Sequence, residues 1–149
     1  MPSFATEAPV YYYSIPEDDR ATRCDLTSDT CVVDGEFFFI RGCVEIPVAG
    51  ADEPFVWGVW VSLSKTSFTE YLANWDTPVR SDLGPYFGWL SVNFPVYPFT
   101  ESLKTSVQPR DNGIRPLIEL DETDHPLAVE QRTGISVERV AEIYALYQH

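Results

Sequence analysis

The chain reads as α+β: a mainly antiparallel sheet of five or six strands, one helix set between strands, and two helices at the carboxyl end. Three observations predict this. Aromatic runs with two-residue alternation are separated by Gly, Pro and Asp-Gly breakers, and the stretches of helical period stand apart from them instead of alternating with them. The third is core capacity, since 149 residues that are 44% hydrophobic and 14% aromatic supply ample apolar surface. A chain of this length is expected to remove roughly 70% of its unfolded surface from water. Residues 1–149 are therefore read as one domain.

In chain order, Phe4 to Arg23 mixes Pro9 and Pro16 with Tyr11, Tyr12 and Tyr13, which are expected to fold back over the core. Pro16 followed by Glu17, Asp18 and Asp19 is the start of a short helix, with acids where the helix dipole favours them. Asp34-Gly35 is the clearest hairpin signal, because both residues tolerate the positive φ of a type I′ turn. Thr30–Val33 and a run from Glu36 to Val48 flank it. In that second run Phe37 and Phe39 face one way, Phe38 and Ile40 the other. A strand apolar on both sides is expected to be covered on both sides.

Phe55 to Leu63 alternates Phe55, Trp57, Val59, Val61 and Leu63 against Val56, Gly58, Trp60 and Ser62. Gly58 leaves room on the second face for a neighbouring side chain or a ligand beside Trp60. Ser67 is the expected helix cap, with Glu70 as its capping-box partner and Phe68, Tyr71, Leu72 and Trp75 as the buried stripe. After a loop from Asp76 to Pro85, strands are expected at Tyr86–Val92, Ser102–Gln108 and Arg115–Leu120. Asp111-Asn112-Gly113 turns between the last two, and Phe94–Phe99 reads as a packed loop. Pro126 opens a short helix that Gly134 closes. Ser136 caps a final helix with Val137, Val140, Ala141, Tyr144 and Tyr147 on its apolar face.

The formal charge is −13, from 23 acidic and 10 basic residues. Such a surface repels nucleic acid and anionic membranes, and is compatible with a basic protein partner, a cation, or a neutral or polar small molecule. The first residues have no basic segment ahead of an apolar run, and no stretch reaches membrane-spanning length, so a cytoplasmic location is expected. Cys24, Cys31 and Cys43 contain no Cys-x-x-Cys pair, which points to three reduced thiols. No zinc or other metal site and no cofactor is expected.

The segments Leu26–Cys31, Phe38–Gly42, Trp57–Ser64, Tyr86–Leu90 and Asp124–Arg132 together resemble a bacterial family, domain of unknown function 2199, from about Phe4 to Glu142. The family brings no established activity with it. Its members often begin with a Cys-x-x-Cys-Gly segment, a zinc clip in form, which this sequence lacks; the resemblance therefore implies no amino-terminal metal knuckle here.

His125 is the residue whose setting is most open to chemistry. It precedes a helix-opening proline and follows Glu119, Asp121, Glu122 and Asp124. An imidazole there can cap the helix, contact a ligand, or move a proton. His149 stands at a chain end expected to fray. Arg41, Lys104 and Arg115 are bases within strands and suit a carboxylate or phosphate; their ordinary alternative is a salt bridge to Glu36, Glu45 or Glu119. Trp57, Trp60 and Trp89 suit a pocket or an interface as well as a core. No serine elbow or phosphate loop is present, and a Cys31–His125 nucleophile pair has no spacing to support it. Leu127 to Ile143 has the spacing of a helix-turn-helix, but its second helix is acidic, the wrong sign for DNA.

Two function classes follow. The first is a non-catalytic binding or regulatory protein acting through protein–protein contact, with homodimerisation expected and an acidic inhibitor or immunity-type protein as one concrete form by analogy of charge. The second is a small-molecule site, catalytic or not, around His125, Arg115, Lys104, Arg41, Trp60 and Trp57.

Overall fold

A computed structural model describes residues 3–147; His149 lies outside them. Strands β1 (Ser3–Ala5), β2 (Cys24–Leu26), β3 (Thr30–Val33), β4 (Phe37–Ile46), β5 (Phe55–Leu63), β6 (Tyr86–Leu90), β7 (Lys104–Gln108) and β8 (Leu117–Leu120) form one sheet. Among the described residues, the helices are α1 (Val10–Ser14), α2 (Arg20–Arg23), α3 (Lys65–Ala73), α4 (Pro126–Thr133) and α5 (Val137–Tyr147). A 3₁₀ turn at Glu17–Asp19 follows Pro16, where the sequence predicts a short helix start.

The sheet has eight strands where five or six are expected, and it curls. Its spine is the antiparallel β4–β5 pair, in register from Phe38↔Leu63 to Ile46↔Phe55. Each of these long strands divides its other edge between two neighbours. On β4, β3 takes the first half and β8 follows in parallel at Cys43↔Leu117. On β5, β1 pairs in parallel along Val56–Gly58, and β6 takes Val61 and Ser62. Since β6, β7 and β8 are joined antiparallel, β4 to β8 close into a five-stranded barrel.

Closure buries one face of β4 and β5; the expected cover on the other face is partial, with Phe37 left exposed. The inward face carries Ile40, Val44, Val59, Val61, Leu90, Val107 and Ile118, all buried. At Gly42 an added Cβ would stand 2.6 Å from Ile118 Cδ1, so the strand without a side chain is what lets β8 approach. On the outward face the amino-terminal segment lies over Trp60, whose indole N–H donates to Thr6 O at 3.1 Å. The gap at Gly58 is filled by this same segment: a Cβ there would meet Ala5 Cβ at 2.6 Å. Trp57 anchors a second aromatic cluster with Phe4, Phe55, Phe94, Tyr97 and Tyr147.

The Asp34-Gly35 hairpin has positive φ at both residues (55° and 63°), and Arg23 adds a two-point ion pair to Asp34 at 2.9 Å. Two expectations are corrected locally. The cap of α3 is Ser64, whose Oγ accepts from the Ser67 N–H at 3.1 Å, because β5 runs straight into the helix without a loop. Glu70 instead accepts from Tyr86 Oη at 2.6 Å. Of the predicted stripe, Phe68 and Tyr71 are buried, whereas Leu72 and Trp75 are exposed. Trp75 falls past the helix end and meets the Tyr71 ring edge-on.

At the carboxyl end, Pro126 and Gly134 bound α4 as expected, and Ser136 Oγ accepts from the Arg139 N–H. The inward line of α5 is Val140, Ile143, Tyr144 and Tyr147, while Val137 and Ala141 stay exposed. No helix among the described residues is long and apolar enough to cross a membrane.

Candidate functional site

The six residues singled out from the sequence go to different places. His125 caps α4: its Nδ1 accepts from the Leu127 N–H at 3.1 Å. That leaves the proton of the neutral ring on Nε2, which donates to Phe99 O at 3.0 Å and Pro98 O at 3.2 Å. Trp57 and Trp60 are fully buried; the Trp57 indole N–H donates to Tyr97 Oη at 3.0 Å. Tyr97 in turn donates to Glu130, which also accepts from Arg139 at 2.9 Å, a chain that ties β5 to both final helices. Lys104 sits over the exposed Trp89 ring, 5.9 Å from its centroid.

Arg41 and Arg115 are the two that come together. Arg115 Nε donates to Asp29 Oδ1 at 2.7 Å, and Arg41 donates to the neighbouring Ser28 O at 3.2 Å. Burial pushes the Asp29 carboxyl up, but the hydrogen bonds from Arg115 and Ser28 and the charge of Arg41 hold it below the usual range. Arg41 Nε is buried without a hydrogen-bond partner among the described residues. Cys31 is buried in the core, where desolvation pushes its thiol up to about 12, which disfavours the nucleophilic thiolate at neutral pH.

Two surface features go beyond the sequence reading, which names Trp89 as suited to a pocket or an interface but assembles neither site. The first is an aromatic trough of about 550 Å³ on the outside of the barrel. A single cross-strand row, Phe39–Ser62–Trp89–Lys104, runs across β4, β5, β6 and β7. Ser62 is the small residue in that row, so the sheet dips between Phe39 and Trp89. Tyr11 from α1 closes one wall, edge-on to Phe37 at 5.0 Å, and Phe87 stands edge-on to Trp89 at 5.0 Å on the other side. Phe37, Phe87 and Trp89 remain 41%, 53% and 42% exposed although the core closes without them. Ser102, at φ 73°, holds the rim through its N–H to Leu90 O. The readable signal was Phe87 and Trp89 two apart on a strand whose other face, Tyr86-Gly88-Leu90, is inward. It is the partner strands that cannot be read locally.

The second is a cleft of about 500 Å³ over the β4–β8 seam. Pairing there is confined to Cys43↔Leu117. Beyond it the amide of Gln131 from α4 stands in for a strand, accepting from the Leu120 N–H and donating to Ile118 O, both at 2.8 Å. Arg41 N–H points to Asp29 O and Cys43 N–H to Pro116 O, so alternation along β4 turns the Glu45 N–H and C=O the same way, away from β5 and toward the seam. The cleft is lined by Pro47, Val48, Pro54, Leu117 and Leu120, with Glu45, Asp52, Glu53 and Glu119 around them. Arg132 also lines it, its guanidinium donating to Thr123 O, and Arg110 pairs with Glu45 at 2.7 Å. Among the described residues no group of three His, Cys, Asp or Glu is arranged to hold a metal ion.

Compared with known proteins, residues 1–135 match the family model described as an uncharacterized protein conserved in bacteria, DUF2199; α5 lies beyond the matched span. No curated protein and no solved structure matches the chain.

Proposed function

The chain belongs to the uncharacterised bacterial family DUF2199, and from that premise we propose that it is a non-catalytic binding protein that works by protein–protein contact, with a second copy of itself as the first partner of its aromatic trough. The carrying observation is the convergence of Tyr11, Phe37, Phe39, Phe87 and Trp89 from three parts of the chain on one open face. Exposed aromatic surface of this kind marks an interaction site more often than it serves the fold. The charge supports a second copy at this face. Two chains of net charge −13 repel one another wherever acids face acids. The trough is lined by one acid, Glu101, and Lys104 lies beside it on Trp89. A two-fold contact through the trough therefore brings aromatic groups together with few like charges opposed.

Concentration-dependent NMR tests this directly. The Trp89 indole and the amides of residues 37–39 and 87–91 should shift as protein concentration rises, while the buried Trp57 and Trp60 indoles stay in place. Uniform absence of shifts in a chain that also keeps its single-chain mass contradicts the proposal.

A second reading, a polar-ligand site at Arg41 and Arg115, is favoured by one observation, the buried Arg41 Nε without a hydrogen-bond partner beside the Asp29 carboxylate. Thermal stabilisation by small carboxylates or phosphates that disappears in Arg115→Ala would support it; no stabilisation by either class removes it.

A further inference from the structure

We propose that the cleft over the β4–β8 seam is a docking groove for an extended segment of a partner protein that carries Lys or Arg between apolar residues. The groove lies where β4–β8 pairing is confined to Cys43↔Leu117, and its lining combines apolar and acidic side chains. Pro47, Val48, Leu117 and Leu120 offer apolar contact, and Glu45, Asp52, Glu53 and Glu119 line the groove together with one base, Arg132. An apolar ligand alone would leave those carboxylates facing it, and a free cation would leave the apolar lining wet. A chain that alternates basic and apolar side chains satisfies both, because successive residues of an extended strand point to opposite sides. The backbone adds a further contact, since the Glu45 N–H and C=O turn toward this seam. Charge selects the occupant: four acids against one base in the cleft draw a basic segment and oppose the same acids of a second copy. The groove is on a different part of the barrel from the aromatic trough, so either site can fail without the other.

The test uses a fluorescein-labelled peptide alternating Lys or Arg with Val and Leu, and the same peptide with Glu at the basic positions, read by fluorescence anisotropy on the full chain. The basic peptide should bind and the acidic one should not, and raising salt from roughly 50 to 300 mM should weaken binding without abolishing it, because the apolar contacts are not screened. Glu53→Lys with Glu119→Lys should weaken binding roughly tenfold or more, about 1.4 kcal/mol. Asp18→Lys with Glu138→Lys changes the net charge equally at exposed positions on other elements and should leave affinity within about twofold of wild type, well under 1 kcal/mol. Glu53→Gln with Glu119→Gln, which adds no charge repulsion, should weaken it to an intermediate degree. Equal loss in the two lysine pairs would mean attraction to the acidic surface at large and would overturn the proposal, as would absence of binding. A fall in oligomer mass caused by the cleft variants without peptide would seat a second copy there instead, and also overturns it.

Discussion

His125 holds the amino end of α4 with one ring nitrogen and the turn at Pro98-Phe99 with the other, so His125→Ala removes both contacts together. The expected cost is about 1 kcal/mol, the scale of a lost cap, with oligomer mass and peptide binding unchanged; a urea denaturation midpoint checks the first and light scattering the second. Asp111 works differently. Its carboxylate accepts from the Ser81 and Arg80 N–H groups at 2.8 and 2.7 Å, and those bonds hold its carboxyl below the usual range. A group of lowered pKa contributes stability that is present above the unfolded value of about 3.9 and is lost as pH falls through the lower, folded value. Asp111→Asn should therefore reduce stability at neutral pH and flatten part of its decline below about pH 4. Denaturation midpoints measured across that range decide it. The capping role of His125 was legible in its place before Pro126. Its Nε2 partners, 26 and 27 residues away, were not, because no local pattern encodes a contact between a turn and a distant helix end.

Strands with long alternating runs were legible, and so was the Asp34-Gly35 turn, because their signals are local. The three-residue strands β1 and β2 were not, since a run that short shows no periodicity. Barrel closure was equally hidden. It depends on a single parallel bridge at Cys43↔Leu117 and on Gln131 substituting for a strand, and neither leaves a mark in the sequence of β4 or β8. Gly58 shows how a correct local reading stops short: the open space beside Trp60 was visible, its occupant Ala5 was not. Gly58→Val is expected to displace β1 and cost about 1–3 kcal/mol, the range for overpacking a filled site. A lower melting temperature together with red-shifted tryptophan emission, as Trp60 loses its cover, is the predicted result.

At the scale of the molecule, one barrel carries two surfaces of opposite character, an aromatic trough that is poor in charge and an apolar cleft bordered by acids. The acidity itself was plain from the sequence, as was the abundance of aromatic residues. Which aromatics stay outside depends on tertiary pairing: Trp57 and Trp60 go to the core, while Trp89, one strand across from Ser62, faces out. The account rests on that outward face being a contact surface. Size-exclusion chromatography with light scattering at tens of micromolar tests it most directly, on the wild type and on Trp89→Glu. The account predicts twice the chain mass for the wild type and the single-chain mass for Trp89→Glu, with the two circular dichroism spectra superimposed. A wild-type chain that runs as a monomer at that concentration, or a Trp89→Glu variant that is still a dimer, would contradict it.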